Sequence, residues 1–238
     1  MIDLHNHLLA GLDDGPESFA ESKMILDKSA KQGIVKLLAT PHKKDVLESK
    51  SSGIVVNQVH LLNEYATQSD LNIKVFVGME NHLDDNLCQQ AMNGIAFTIN
   101  YGPYILVEPP YTDSFDLDFY SQLNELQANG LFPLIAHPER MKGFKNNPNL
   151  IENLKNTGNF IQITSGSVLG KFGSAVEFFS KTLLDLGLVD VISSDTHMFK
   201  GKREQDLLDA YRVISKEYGE EFAENIFYKF PETCLLGN

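Results

Sequence analysis

The chain has 238 residues, of which 42% are hydrophobic, and its formal net charge is −12 at pH 7. This length and composition suffice to bury a large core, in one barrel-sized domain or in two smaller ones. The acidic balance disfavours nucleic acid and anionic membranes as partners, because both bind basic surfaces. An anionic substrate would therefore need a local source of positive charge.

Two cysteines, Cys88 and Cys234, are too few and too far apart in sequence for a disulfide framework. The first residues predict a strand rather than a signal peptide, and no apolar run is long enough to cross a bilayer. No linker or internal repeat divides the chain. We therefore expect a single domain over residues 1–238, located in the cytoplasm and without membrane insertion.

Strands and helices alternate along the chain. A first strand at residues 1–5 is followed by a helix that begins at a capping box, Ser18 to Glu21, and ends before Gly33. Further strands are predicted at residues 34–40, 73–77, 96–99, 104–107, 132–136, 160–164 and 188–193. Further helices are predicted at residues 54–68, 87–93, 117–129, 149–156, 174–186, 203–216 and 220–228.

The polar stretch 43–53 is rich in lysine and serine and predicts a mobile loop. Apolar side chains expected in the core include Phe97, Phe160, Phe178 and Phe179. Alternating strands and helices imply parallel strands joined by right-handed crossovers. The carboxyl ends of all strands should then lie on one face of the molecule.

Histidines and carboxylates follow these strand ends. His5 and His7 should leave the first strand on the same side, because successive side chains of a strand alternate. Asp13 and Asp14 follow in a turn flanked by glycines, and oxygen ligands beside imidazole suit Mn, Fe or Zn. Nine ligand-type residues lie at or just beyond six strand ends: His5, His7, Asp14, His42, Glu80, Glu108, His137, Asp195 and His197. They are too many for one ion and match the catalytic face of barrels, so the sequence predicts a metal site for more than one ion.

The two other histidines are not predicted to be ligands. His60 lies inside a predicted helix and has no assigned chemical role. His82 lies close to Glu80 in sequence, and we expect it to support the site or lie at the surface. The glycine-rich stretch 166–173 lacks the GxxxxGK[ST] order of a phosphate-binding P-loop.

Six short motifs together resemble the polymerase and histidinol phosphatase (PHP) family: DLHNH and GLDDG within residues 3–15, TPH at 40–42, GMEN at 78–81, AHPER at 136–140 and SSDTH at 193–197. Within that family the chain is most similar to the bacterial protein-tyrosine phosphatases linked to capsule and exopolysaccharide synthesis. The resemblance runs nearly end to end. It implies an α/β fold, a distorted TIM-like (β/α)7 barrel, with three divalent metal ions, Mn2+ above all and otherwise Fe or Zn.

The resemblance also implies a role for each site residue. The first ion would be held by His5, His7, Glu80 and Asp195. Glu80 would bridge to a second ion completed by Glu108 and His137, and the third ion would be held by Asp14, His42 and His197. Arg140 and a basic residue after the last motif would bind the phosphate. The spacing leaves that residue open between Lys202 and Arg203, of which we choose Arg203.

The implied function is metal-dependent phosphomonoester hydrolysis by a protein-tyrosine phosphatase, with a water that bridges the metal ions as nucleophile. The expected substrate is a phosphotyrosine protein such as the tail of a bacterial tyrosine kinase. Three divalent ions and four carboxylates leave a local charge of about +2, so an acidic protein could bind an anionic substrate. Neither Cys88 nor Cys234 is followed by arginine at the spacing of a C-x5-R loop, which excludes thiol-based hydrolysis.

Three alternatives remain open. The same ligands would serve another PHP phosphoesterase, such as a histidinol-phosphate phosphatase or a nucleotide exonuclease, although GLDDGP and AHPER favour the tyrosine phosphatases. An amidohydrolase also begins with His-x-His, but it typically bridges its metals with a modified lysine where this chain has Glu80. An inactive, metal-bound regulatory protein is disfavoured by the complete ligand set and Arg140. In a phosphatase, Tyr111 and Phe199 are the aromatic residues expected to pack against a phosphotyrosine ring.

Overall fold

The structure is a computed structural model that describes residues 1–49 and 52–237. Within these ranges the strands are β1 (Ile2–Asp3), β2 (Lys36–Ala39), β3 (Lys74–Val77), β4 (Asn81–His82), β5 (Tyr104–Glu108), β6 (Phe132–Ala136), β7 (Phe160–Thr164) and β8 (Val191–Ser193). The helices up to β6 are α1 (Phe19–Lys31), α2 (Lys43–Ser49), α3 (Gly53–Gln68), α4 (Leu87–Met92) and α5 (Leu117–Ala128). The later helices are α6 (Lys142–Asn146), α7 (Asn149–Asn156), α8 (Ser165–Val168), α9 (Ser174–Asp185), α10 (Leu207–Tyr218), α11 (Glu220–Glu224) and α12 (Phe230–Leu236).

The strands form two parallel sheets, one in the order β1-β2-β3 and one in the order β4-β5-β6-β7-β8. The sheets meet at both edges. At one edge β3 runs through three residues into β4, and a parallel bridge joins His42 to Glu80. At the other edge a parallel bridge joins Asn6 to Thr196, beyond the ends of β1 and β8.

Successive residues of the strands enter two separate apolar cores, because side chains of a strand alternate between its faces. In β5, Ile105 and Val107 belong to the larger core, which the helices cover. Tyr104 and Leu106 belong to the smaller core, which also contains Cys234 and Leu235 of α12. Burial on both faces explains the nearly continuous apolar sequence of these strands.

The sequence pattern predicted most elements, and the ends moved by a few residues. Ser18 caps the start of α1 as predicted, because its side chain accepts a hydrogen bond from the Glu21 amide at 3.3 Å. The loop predicted at 43–53 is wrong, because α2 covers Lys43–Ser49 and α3 begins at Gly53; Lys50 and Ser51 lie outside the described residues. Lys43 is buried in α2, where its ammonium binds Asp84 at 2.6 Å.

Four further predictions are corrected. The strand predicted at 96–99 is absent from the described chain: Ala96 and Phe97 are buried outside any strand, and a 3-10 turn begins at Ile99. The helix predicted from Arg203 begins at Leu207 instead, and the one predicted at 220–228 ends at Glu224, where a π-helical segment leads into α12. Phe178 is 75% exposed on α9, whereas its neighbour Phe179 is buried. No helix in the described residues is long and apolar enough to span a bilayer.

Candidate active site

The nine ligand-type residues converge beyond the carboxyl ends of the parallel strands. The segment after β1 is held on both sides: Thr40 donates its amide hydrogen to the Asn6 carbonyl at 2.8 Å, and the His7 amide donates to Thr196 at 2.8 Å. On the same side as Thr196, the Asp195 amide donates to the His5 carbonyl at 2.9 Å. These backbone contacts bring the first and last motifs of the sequence together.

His5 and His7 face each other, as the strand alternation predicted. Their Nε2 atoms are 3.1 Å apart. The Nδ1 atom of His5 lies 3.1 Å from the Gln162 side-chain oxygen, and that of His7 lies 2.7 Å from an Asp13 oxygen. Burial would lower the pKa of His7, but Asp13 raises it to about 9. In the neutral form of each ring, Nδ1 donates to those oxygens and Nε2 carries the lone pair. Two lone pairs at this distance repel each other, and a shared cation removes the repulsion.

Glu80 lies at the centre of the site and is fully buried. One of its oxygens is 2.7 Å from His137 Nε2. The other is 3.0 Å from His42 Nδ1, 3.2 Å from His5 Nε2 and 3.3 Å from His7 Nε2. Burial would raise the pKa of Glu80, but the histidines around it hold that pKa well below its usual range. One carboxylate therefore contacts two groups of imidazoles, as a bridging ligand would.

Glu108 and His137 lie on the far side of Glu80. Burial and the Glu80 carboxylate raise the pKa of Glu108 to about 7. Burial and then Arg140 lower the pKa of His137 to about 3, so this ring is neutral at pH 7, the form that binds metal ions. The backbone of His137 is left-handed, with φ 35°, a conformation that residues other than glycine adopt only rarely.

A third group contains Asp14, His42 and His197. His197 Nε2 is 3.0 Å and His42 Nε2 is 3.5 Å from the same Asp14 oxygen. Burial and then the nearby His7 lower the pKa of His197 to about 4. Burial would lower the pKa of His42, but Asp14 and Glu80 raise it to about 11. His7 joins this group as well, because its ring stacks on that of His197 at 3.8 Å.

Asp195 connects the imidazoles to two arginines. Its Oδ1 is 3.4 Å from both His5 Nε2 and His7 Nε2. Its Oδ2 is 2.8 Å from Arg140 and 3.1 Å from Arg203. Burial would raise the pKa of Asp195, but Arg140, His5 and Arg203 hold it well below its usual range. Like His137, Asp195 has a left-handed backbone, with φ 54°.

The residues present fit divalent metal ions. Four sets of side chains each bring ligand atoms within 4.8 Å of one another: His5, His7 and Glu80; His7, Asp14, His42 and His197; Glu80, Glu108 and His137; and His42, His82 and Glu108. In the described part of the chain, Glu80 Oε2 and His197 Nε2 are buried and make no hydrogen bond of suitable geometry, although His42 and Asp14 atoms lie 3.0 Å from them. Imidazole nitrogen and carboxylate oxygen in such groups are typical of sites for manganese, iron or zinc.

The chain matches the family model "Capsular polysaccharide synthesis, CpsB/CapC" over residues 1–236. It belongs to the CpsB/CapC family. The tyrosine-protein phosphatase YwqE of Bacillus subtilis (strain 168) is 33% identical over 221 residues, which are 93% of this chain and 86% of that protein. The tyrosine-protein phosphatase CpsB of Streptococcus pneumoniae is 29% identical over 99% of this chain and 98% of its own length.

Solved structures agree with this assignment. One from the work on YwqE of Bacillus subtilis and CpsB of Streptococcus pneumoniae, which describes them as unique metal-dependent tyrosine phosphatases, has a TM-score of 0.93 and 31% identity. The match covers 100% of this chain and 95% of the chain in that solved structure. A zinc-bound amidohydrolase from Burkhoderia ambifaria has a TM-score of 0.54 at 9% identity, over 98% of this chain and 82% of that chain, a likeness in fold alone. The family predicted from the motifs and the α/β fold with parallel sheets are thereby confirmed.

Sequence reasoning missed three residues at the site of this CpsB/CapC chain. Asp13 was placed in the correct turn but given no role, although it fixes the His7 ring. Gln162 orients His5, and its own amide is fixed by donating to the Ile163 carbonyl at 2.8 Å. A polar residue inside the apolar strand FIQIT was the available signal. Phe172, on the loop after α8, lines the cavity and gave no signal beyond its glycine-rich context.

The expectations for the two aromatic residues, Tyr111 and Phe199, have different outcomes. Tyr111 lines the cavity as expected, whereas Phe199 lies in a neighbouring groove beside α1. Between the two basic candidates, Arg203 lines the cavity, and the Lys202 ammonium lies 5.1 Å from the centre of the Phe172 ring. His82 has a half-exposed side chain whose Nε2 contacts Glu108 Oε2 at 3.1 Å, so it lies next to the ligand-type residues.

Proposed function

We propose that this chain is a metal-dependent protein-tyrosine phosphatase that acts in capsular or exopolysaccharide synthesis. The observation that carries the proposal is a pair of guanidinium groups beside the ligand-type residues. Arg140 and Arg203 each have a buried Nε–H without a hydrogen-bond acceptor among the described residues. Unused donors on two arginines suit the oxygens of a phosphate group, and the names of the relatives agree with this chemistry.

The proposed fold is the distorted seven-stranded (β/α) barrel of a single PHP-type domain over residues 1–238. Support comes from the two edges at which the sheets meet. If β3 and β4 are counted as one bent strand, seven strands follow one another around a closed path. The smaller apolar core is then the interior of the barrel. The candidate site lies at its carboxyl end, where the active sites of barrel enzymes lie.

The proposed cofactors are three Mn2+ ions, with Fe or Zn as substitutes. His5, His7, Glu80 and Asp195 would hold the first. Glu108 and His137 would complete a second around Glu80, and Asp14, His42 and His197 would hold the third. When bound, these ions supply an activated water as nucleophile and positive charge for the phosphoryl oxygens.

The side chains of the protein have separate tasks in this reaction. Arg140 and Arg203 bind phosphoryl oxygens, and Asp195 holds both guanidinium groups in place. Asp13 and Gln162 keep His5 and His7 in the tautomer that leaves Nε2 available. A phenoxide leaving group has a pKa near 10 and needs little protonation, so no side chain is assigned as general acid.

The proposed substrate is a phosphotyrosine protein in the cytoplasm, such as the tail of a bacterial tyrosine kinase. The test combines elemental analysis of the manganese-loaded protein with assays on a phosphotyrosine peptide, a matched phosphoserine peptide, histidinol phosphate and single-stranded DNA. We expect more than one ion per chain and fastest turnover of the phosphotyrosine peptide. One ion or fewer would refute the trinuclear site, and a preference for histidinol phosphate would refute the tyrosine specificity alone.

A further inference from the structure

One wall of the active-site cavity is formed by Phe172. The cavity has a volume of about 280 Å3, and the buried side chains of Glu80, Glu108 and His137 line it. Arg140 and Arg203 line it as well. Apart from imidazoles, the aromatic side chains that line it are those of Tyr111 and Phe172. A substrate whose phosphate binds in this cavity therefore lies close to these two rings.

The loop that carries Phe172 is held in a defined conformation. Gly170 and Gly173 on either side of it have left-handed backbones, with φ 72° and 96°. Between them, the Lys171 ammonium binds Asp206 at 2.8 Å, and Asp206 also accepts a hydrogen bond from the Ser165 hydroxyl at the start of α8. A loop fixed at both ends presents its aromatic ring in one place rather than in many.

Gly166 provides the space in which the Phe172 ring lies. A Cβ atom added at Gly166 would lie 2.8 Å from Phe172 Cε2, closer than real carbon atoms approach. Gly166 lies within α8 and its φ is not in the left-handed region, so its backbone would accept alanine. Glycine at this position therefore determines where the ring can lie, and an alanine there would move the ring without removing it.

The position of the ring is tied to the residue that would bind phosphate. The guanidinium carbon of Arg140 is 5.1 Å from the centre of the Phe172 ring, and the ammonium of Lys202 is 5.1 Å from the same point on the ring. Both distances are within the range of cation–π contacts. Phe172 is thus the apolar side chain that adjoins Arg140 in the lining of the cavity.

We propose that Phe172 is a specificity-determining residue that contacts the phenyl ring of a bound phosphotyrosine, and that Gly166 sets the position of this contact. The inference rests on the proposed function and extends it to the choice between phosphorylated side chains. In phosphotyrosine an aromatic ring separates the phosphate from the peptide backbone, and it lies at the level of the rim when the phosphate is bound. Phosphoserine places no ring there, so it gains nothing from Phe172.

The test measures kcat and KM of F172A, F172Y and G166A, with phosphotyrosine and phosphoserine peptides of the same sequence. F178A is the matched control, because Phe178 lies six residues away on α9, is 75% exposed and does not line the cavity. Competitive inhibition by inorganic phosphate, metal content and thermal unfolding are measured for each variant. Inorganic phosphate has no phenyl ring, so its inhibition constant reports on phosphate binding at Arg140 and not on contact with Phe172.

We expect F172A to raise KM for the phosphotyrosine peptide by about three- to tenfold, the range of one aromatic pair contact. KM for the phosphoserine peptide and inhibition by phosphate should stay at the wild-type values. F172Y should restore the phosphotyrosine KM, and G166A should raise it by a smaller factor. F178A should match the wild type on both peptides.

Two results would overturn the inference. An unchanged ratio of the two substrates in both F172A and G166A would show that the ring makes no contact with phosphotyrosine. Equal losses on both peptides, together with weaker inhibition by phosphate, would show that Phe172 acts only by packing on Arg140. G166A retains the phenyl ring, so it decides the matter if F172A does not fold. Failure of the proposed function is distinct: the metal-loaded wild type would not hydrolyse the phosphotyrosine peptide at all.

Discussion

Replacement of Arg140 by lysine separates phosphate binding from the assembly of the metal site. Arg140 uses Nη2 to bind Asp195 at 2.8 Å, and its Nε–H lacks an acceptor in the described part of the chain. A lysine has one nitrogen, which can pair with Asp195 or point into the cavity but cannot do both. We therefore expect kcat on the phosphotyrosine peptide to fall by about a hundredfold or more, as when a transition-state donor is lost.

The same variant should remain folded and keep its metal ions. Arg203 also contacts Asp195, at 3.2 Å and 3.1 Å from its two oxygens, so this buried carboxylate keeps a cationic partner. Steady-state kinetics, elemental analysis and thermal unfolding test these expectations. Arg212→Lys is the matched control, because Arg212 is exposed on α10 and pairs only with its neighbour Asp209 among the described residues. Wild-type turnover in Arg140→Lys would show that Arg140 is only an ion-pair partner of Asp195.

Three further substitutions test other parts of the structure. Glu80→Ala should lower turnover by about a hundredfold or more and reduce the metal content, because its carboxylate contacts four histidines. His60→Ala should change neither, because the His60 side chain is exposed on α3. His82→Ala should weaken metal binding by about tenfold, because His82 contacts Glu108 and supports its position. Turnover at saturating Mn2+ should stay at the wild-type value. If excess metal does not restore the rate, His82 is itself a metal ligand. Ser18→Ala should lower the free energy of unfolding by about 1 kcal/mol, measured by thermal unfolding, because the α1 cap is lost. Ser52→Ala should lower it by less, because the Ser52 hydroxyl makes no capping bond within the described chain. Equal losses would refute the capping role.

The sequence was informative about the site because parallel strands bring their carboxyl ends together wherever the strands lie in the chain. Only the type of residue at each strand end was needed to predict the group around Glu80. The choice between Lys202 and Arg203 needed the path of the loop after β8, which spacing does not define. The structure brings Arg203 to the cavity and leaves Lys202 beside Phe172.

The errors in the fold have a common physical origin. The stretch at 43–49 was interpreted from its own polarity, but Lys43 is buried by partners that come much later in the chain, Asp84 and Gln90. Residues 96–99 are apolar because Ala96 and Phe97 pack in the core without pairing in a strand. Local composition does not distinguish these cases, since tertiary contacts override local propensity.

Asp195 helps to explain how an acidic chain can bind an anionic phosphate substrate, because it holds two arginines beside the ligand-type residues. One oxygen of this carboxylate faces His5 and His7 and the other faces Arg140, while Arg203 contacts both oxygens. The two arginines are thereby held at the edge of the ligand group. Their positive charges line the cavity, although the chain as a whole carries a net negative charge. In the proposed assignment, Asp195 belongs to both the metal site and the phosphate site, so metal binding and phosphate binding can depend on each other.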